Sequence, residues 1–293
     1  MAEGTLLDVP VDGGHLRAVR WGEGFAVLAL HGITANHLMW KPVSDLLEGV
    51  TLVAPDLRGR AASAPLPGPW GMAAHVKDAV AVLDHLGIER AMVVGGSMGG
   101  YVAVLMAALH PDRIASVGLC DGGVALPLPE GADPDQLLQA TLGPTFERLD
   151  RIFPSWDAYM DFWKAHPALS DHWNDDIEAY VRYDATETDG GVRTRVVKEA
   201  IVADGRDLLV NREVHTCIAN IRCPIWLLRA PRGLLNQPAP LIPDEVLAAW
   251  RGDNLPQLEE AMVEDVNHFT LFLTDRGASA IAERIRSSVP AHA

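Results

Sequence analysis

The chain has 293 residues, 48% of them apolar, and carries 24 Lys plus Arg against 39 Asp plus Glu, a formal charge of −15. That balance fits a globular chain with a full core, either one large α/β domain or one domain with an insert. It argues against a nucleic-acid binder or a protein that docks on anionic lipid, because both need basic stripes.

The three cysteines, Cys120, Cys217 and Cys223, are odd in number and fit no zinc spacing. Neither a disulfide framework nor a structural metal is expected. The opening "MAEGTLLDVP" has no basic start and no long apolar stretch, and no apolar run reaches 18 residues. A cytoplasmic protein without a membrane partner is therefore expected.

Short β-rich runs alternate with helical patterns along the first part of the chain. "HLRAVRW" (15–21) alternates as a strand should, and "FAVLALHG" (25–32) reads as a buried strand ending in a turn. "TLVAPD" (51–56) is a further strand, and residues 72–86 have apolar positions at helical spacing before Gly87 stops them. "AMVVGG" (91–96) predicts a strand, "MGGYVAVLMAALH" (98–110) a buried helix and "IASVGLCDGG" (114–123) another strand. From about Val124 to Arg222 the pattern changes to helices with irregular links. This stretch holds nine of the 18 aromatic residues, among them Phe146, Phe162, Trp163 and Tyr180. These rings either fill the core of a small helical layer or line a substrate site, and the two roles are compatible. The alternation resumes with "PIWLLRA" (224–230), a helix near 243–250, "LEEAMVED" (258–265) and a closing helix from about 275. The expected architecture is an α/β fold, a mostly parallel sheet flanked by helices. Residues 1–123 and 223–293 form its core and 124–222 a helical insert.

"VVGGSMGG" (93–100) is the segment with the most chemistry in it. A G-x-S-x-G match is common by chance, but here Gly95-Gly96-Ser97-Met98-Gly99 closes a predicted strand and opens a predicted helix. Glycines on both sides allow the sharp turn and the close helix–strand approach that would expose Ser97. A phosphate loop is the competing reading. It lacks support, because no lysine lies between Lys77 and Lys164 and the G-x-G-x-x-G spacing is missing.

A serine hydroxyl needs a base to become a useful nucleophile. His268, in "EDVNHFTLF", follows the last predicted strand and precedes the last helix, free to turn toward Ser97. His75, His85 and His110 fall in helices, and His37, His166, His172 and His215 in loops or in the insert. Acyl transfer also needs two backbone N–H groups aimed at the developing oxyanion. Met98, directly after the serine, and Ile33, after the His31-Gly32 turn, are the candidates.

These motifs resemble the α/β-hydrolase superfamily along nearly the whole chain, through "LHG" (30–32), "PDLRGRAAS" (55–63), "GGSMGG" and "VNHF" (266–269). The resemblance implies an eight-stranded, mostly parallel sheet with a helical cap inserted after the sixth strand. Asp56, Arg58 and Gly59 match the family's Asp-x-Arg-Gly turn, usually followed by a histidine, a glycine and a serine. Here Arg60-Ala61-Ala62-Ser63 departs from it, in a turn read as structural.

The resemblance also implies an acid that orients the histidine, usually a few residues after the seventh strand. In this chain that place reads "LLRAPRGLLNQPAP" (227–240), with no Asp or Glu before Asp244. Some relatives carry the acid after the sixth strand, where this chain has Asp121 in "GLCDGG". Asp121 is the preferred candidate, although Asp-Gly is also ordinary turn chemistry. Asp204 and Asp207 are the alternatives, and Asp265 is too near His268 in sequence to hold it from behind.

The expected function is a serine hydrolase acting on an ester, lactone or thioester through Ser97, His268 and Asp121, without a metal or organic cofactor. A small apolar or aromatic acyl substrate is expected. Related triad chemistry on the same sheet is the alternative: carbon–carbon hydrolysis, perhydrolysis as in haloperoxidase-like relatives, or cofactor-free dioxygenation. A non-catalytic ligand receptor is a third reading. Haloalkane dehalogenase and epoxide hydrolase chemistry is disfavoured, since those relatives use an aspartate where Ser97 stands. Few of the basic residues of the insert, Arg148 and Lys164 among them, are clearly aimed inward, so an anionic substrate has no specific support from the sequence.

Overall fold

The computed structural model describes residues 4–125, 131–252, 255 and 258–290, with backbone only at 141–145. Eight strands form one sheet: β1 (Thr5–Val11), β2 (Gly14–Trp21), β3 (Phe25–Leu30), β4 (Val50–Pro55), β5 (Ala91–Gly96), β6 (Ile114–Cys120), β9 (Ile225–Arg229) and β10 (Glu259–Met262). A separate hairpin supplies β7 (Ala185–Thr188) and β8 (Gly191–Thr194). The sheet order is β1-β2-β4-β3-β5-β6-β9-β10. β2 is antiparallel to both its neighbours, and every other pairing is parallel. This is the eight-stranded, mostly parallel sheet expected from the sequence, with β1 as an edge strand that the sequence reading left out.

The central strands are apolar on both faces, as strands covered on two sides must be. In β3, Leu28 and Leu30 join one buried cluster while Val27 and Ala29 join the other, and in β5 Val93 and Met92 divide in the same way. The helices Met72–His85 and Met98–Leu109 cover the first face through Val76, Val82, Val102 and Leu105. The helix Asp275–Ser288 covers the second through Ile281 and Ile285.

The order β4-β3-β5 places successive connections on opposite sides of β3. A crevice therefore opens beyond the carboxyl ends of β3 and β5, the usual place for a ligand in an open α/β sheet. The loop His31–Ile33 and the residue Ser97 both leave the sheet there.

Between Cys120 and Ile225 the chain leaves the sheet and forms the helices Pro134–Asp150, Trp156–Lys164, Asp175–Tyr183, Lys198–Val210 and Arg212–Thr216. Residues 126–130, near the expected start of the insert, lie outside the described residues. Two of these helices start where sequence chemistry dictates: the Ser155 side chain accepts from Ala158 N–H and the Asn174 side chain from Ile177 N–H. The hairpin β7–β8 departs from the expectation of helices alone. Its two strands flank Asp189-Gly190, a pair that signals such turns. Among the described residues, no helix is long and apolar enough to cross a membrane.

Candidate active site

Ser97 sits between β5 and the helix Met98–Leu109 with φ 52° and ψ −122°, a conformation that side chains other than glycine rarely adopt. Its N–H donates to the Cys120 carbonyl at 3.0 Å. The glycines around it are required by close approach: a Cβ on Gly99 would stand 2.1 Å from the Leu30 carbonyl oxygen, and one on Gly95 the same distance from that of Gly99. The turn can form only because strand, elbow and helix pack backbone to backbone.

Asp121 leaves the end of β6, beside the serine. A Cβ on its neighbour Gly122 would come within 2.5 Å of Ser97 Cα. Asp121 also has a positive φ of 46°, and its N–H donates to the Leu228 carbonyl at 2.8 Å. Its side chain is fully buried, with Oδ1 accepting from Ala230 N–H at 3.2 Å and Oδ2 lying 2.7 Å from His268 Nδ1. The position after β9, where the acid was missed in the sequence, thus contributes a backbone donor that orients the acid from β6.

His268 is held from both sides. Its N–H donates to the Arg232 carbonyl at 3.1 Å. Asn267 accepts from the N–H groups of Phe269 and Thr270 at 3.0 Å and donates to the Ala168 carbonyl of the insert at 2.9 Å. With Nδ1 against Asp121, the free nitrogen is Nε2. Ser97 and His268 line one cavity of about 450 Å³, together with Gly32, Ile33, Met39, Phe162, Trp163 and Tyr180.

His31 fixes the loop after β3. Leu57 N–H donates to its Nε2 at 2.9 Å, so the ring proton is on Nδ1, which lies 2.7 Å from the Gly32 carbonyl oxygen. Burial, chiefly, pushes the His31 pKa down to about 3, which keeps this donor–acceptor pattern neutral. Because a trans peptide points its C=O and N–H in opposite directions, pinning the Gly32 carbonyl turns the Ile33 N–H away from His31. Met98, at the first turn of its helix, has no carbonyl four residues back within that helix. Of the two expected oxyanion donors, Ile33 lines the cavity, and Met98 directly follows the cavity-lining Ser97.

Arg60 is a residue of this region that the sequence reading took as structural. Its fully buried guanidinium donates through Nε to the Ile33 carbonyl at 2.8 Å, and Nη2 lies 3.8 Å from Met98 Sδ. A third contact is an ion pair with Asp204. The signal was the departure Arg60-Ala61-Ala62 itself, in which Ala61 has a positive φ of 43°.

Asp204 and Asp207, the alternative acids, are committed elsewhere. Asp204 takes Arg60, the Gly71 N–H at 2.6 Å and His75 Nε2 at 2.9 Å. Burial opposes its charge, but Arg60 and His75 hold its pKa well below the usual range. Asp207 accepts from Met72 N–H at 2.7 Å and from the Asn211 side chain at 2.9 Å. Neither bonds to His268, which corrects the suggestion that they are alternatives to Asp121. Asp265 has a positive φ of 61° in its loop. Asp56 binds the N–H and Nδ1 of His37 and the Tyr183 hydroxyl, which ties the Asp-x-Arg-Gly turn to the insert.

Of the insert's nine aromatics, Phe162, Trp163 and Tyr180 line the cavity. Phe153 and Tyr159 instead pack edge to face at 5.1 Å within the insert itself. Both readings of the aromatic enrichment hold, each for different residues.

A sheet with a strained serine after its central strand and a buried acid–histidine pair over the same crevice defines a class. The chain belongs to the α/β-hydrolase family, whose model, described as alpha/beta hydrolase fold, matches residues 26–191. It is similar to lipase LipV of Mycobacterium tuberculosis, 34% identical over 44% of this chain and 51% of that protein. It is also similar to 2-hydroxymuconate semialdehyde hydrolase of Pseudomonas sp. (strain CF600), 34% identical over 38% of this chain and 42% of the relative. The chain thus spans about half the length of these relatives. Among solved structures, E-2-(acetamidomethylene)succinate hydrolase superposes with a TM-score of 0.77 at 20% identity, covering 97% of this chain and 100% of the other.

Proposed function

We propose that this α/β-hydrolase cleaves a carboxylic ester, lactone or thioester through an acyl-enzyme formed on Ser97. The observation that carries the reading is the 2.7 Å contact between Asp121 Oδ2 and His268 Nδ1, with His268 and Ser97 on the wall of one cavity. In this mechanism Ser97 Oγ attacks the acyl carbon while His268 Nε2 takes its proton. Asp121 keeps the imidazole proton on Nδ1 and stabilises the imidazolium. The N–H groups of Met98 and Ile33 hold the tetrahedral oxyanion, each such donor contributing about 3 kcal/mol to the barrier. His268 then returns the proton to the leaving alcohol or thiol, and water, activated by the same histidine, releases the acid and frees Ser97. No step calls for a metal or organic cofactor.

The mainly apolar lining, including Met39, Phe162, Trp163, Leu234 and Phe272, supports a small apolar or ring-containing acyl group. A chain-length and ring-size series of chromogenic esters and lactones, read as kcat/KM with Ser97→Ala as control, tests the reading. Turnover that Ser97→Ala abolishes supports it; turnover that survives the substitution rejects it.

Related triad chemistry is the second reading, favoured by the 34% identity to a semialdehyde hydrolase. A serine that reacts with a phosphonate probe, in an enzyme that turns over no ester, lactone or thioester, would select it.

A further inference from the structure

Among the described residues, the cavity lining contains no carboxylate and one permanently charged side chain, Arg148 of the helix Pro134–Asp150. Arg148 is 3% exposed, so its guanidinium has almost no bulk water to satisfy it. A guanidinium carries five N–H donors, and buried donors are ordinarily paired. The other buried arginines obey that rule. Arg58 donates to both oxygens of Asp78 and to the carbonyls of Pro67 and Asp12. Arg60 is taken up by Ile33, Arg58, Asp204 and Met98.

Arg148 differs. Among the described residues the one hydrogen-bond partner of its guanidinium is Asp184, reached through Nη1. Asp184 Oδ2 also accepts from the Tyr159 hydroxyl and the Thr194 hydroxyl, each at 2.9 Å. That carboxylate is anchored by the insert and fixes the guanidinium without saturating it. The guanidinium carbon stands 4.9 Å from the centre of the Trp163 ring, and its Nε and Nη2 have no hydrogen-bond acceptor among the described residues.

Two further donors share the lining. The Tyr180 phenol lines the cavity and can donate through its hydroxyl. His166 accepts from Ala168 N–H at 3.2 Å through Nδ1, which puts its proton on Nε2. Burial and then the Arg148 charge push the His166 pKa down to about 4, so near neutral pH it is an uncharged donor. Guanidinium, phenol and imidazole N–H are donors grouped in a wall whose other polar side chains are Thr34, Ser97 and His268. Such a cluster suits an anion with planar, paired oxygens, and a guanidinium fork matches a carboxylate best.

We propose that Arg148 binds a carboxylate of the substrate, so that the compounds turned over at Ser97 are esters, lactones or thioesters bearing a second, unreacting carboxylate on an apolar frame. The specificity rests on the hydrolase reading above, but the anion site can be tested without it. Charge-assisted hydrogen bonds of this kind are worth about 10- to 100-fold in binding or kcat/KM.

The test compares p-nitrophenyl half-esters of straight-chain dicarboxylic acids with the methyl p-nitrophenyl diesters of the same acids. The wild-type enzyme is expected to favour at least one half-ester about 10-fold or more over its neutral diester. Arg148→Met is expected to erase that preference, read as the ratio of half-ester to diester kcat/KM in the folded enzyme, and Arg148→Lys, which keeps a charge beside Asp184, to retain part of it. Equal kcat/KM for half-ester and diester across the wild-type series overturns the proposal, whatever happens to the folding of the variants. In parallel, calorimetric titration of Ser97→Ala with phenylacetate and with its uncharged amide reads the anion site alone. Preference for phenylacetate that Arg148→Met removes supports the site even if no ester is hydrolysed, in which case the hydrolase reading fails separately. Equal binding of acid and amide counts against the site.

Discussion

Arg60 and Asp204 meet as an ion pair with both side chains fully buried, one from the turn after β4 and the other from the helix Lys198–Val210 of the insert. The pair links the insert to both proposed oxyanion donors, since the same guanidinium donates to the Ile33 carbonyl and touches Met98 Sδ. A buried ion pair is poor evidence for net stability, but removing one partner strands the other.

Arg60→Met should therefore destabilise the protein by about 3–5 kcal/mol. Arg60→Lys retains a charge for Asp204 but lacks the fork that reaches Ile33 at the same time. It is predicted to keep most of the stability and to lose kcat about 10-fold or more with KM little changed. Urea unfolding paired with steady-state kinetics checks both. A lysine variant with wild-type kcat would remove Arg60 from the positioning of the oxyanion loop.

His31 gives stability a pH dependence. Its pKa is near 3 in the fold and about 6.5 in an unfolded chain, so between these values the unfolded state binds more protons. Stability must then rise with pH through this window and fall as the pH drops from about 6.5 toward 3, by up to about 1.4 kcal/mol per pH unit for one such histidine. His166, lowered to about 4, acts in the same direction over the upper part of the window. Urea midpoints at pH 7.5 and 5.0 should show the loss, and His31→Gln should reduce it. A midpoint independent of pH over this range would contradict the neutral, buried His31.

Gly32 has room for function but not for a side chain. An added Cβ would stand 3.2 Å from Ser97 Cβ and 3.6 Å from its Oγ. Gly32→Ala should lower kcat/KM about 10-fold or more, because a small displacement of the nucleophile is costly, with a thermal midpoint close to wild type. Unchanged kinetics would mean that the serine does not work against this loop.

Asp121→Asn retains the volume but puts the wrong proton pattern on His268. On this account kcat falls about 10³- to 10⁴-fold with KM nearly unchanged. Asp207→Asn, far from the histidine in bonding terms, should stay within a few-fold of wild type. The opposite ranking, read from the same p-nitrophenyl ester assay, would move the acid.

The sheet was legible because its central strands are apolar runs stopped by glycine, as in "FAVLALHG" and "AMVVGG", and because Ser97 and His268 lie at ends of predicted elements. β1 was not, since Thr5–Val11 contains a proline and keeps few buried positions on an exposed edge. The hairpin β7–β8 could have been found from Asp189-Gly190, but it sits inside a stretch dominated by helical periodicity. Asp121 was readable as a candidate only because the place after β9 lacks an acid. The roles of Arg60 and Arg148 depend on contacts distant in sequence: Ile33 and Asp204 lie 27 and 144 positions from Arg60, and Asp184 lies 36 from Arg148. No local pattern marks which buried arginine is saturated and which faces a cavity.

The most direct measurement is peptide mass spectrometry after treatment with a fluorophosphonate, using wild type, Ser97→Ala and His268→Ala side by side. One covalent adduct on the peptide carrying Ser97, absent in Ser97→Ala and slowed by orders of magnitude in His268→Ala, is the predicted result. An unmodified Ser97 in active wild-type enzyme, or labelling as fast without the histidine, would contradict it.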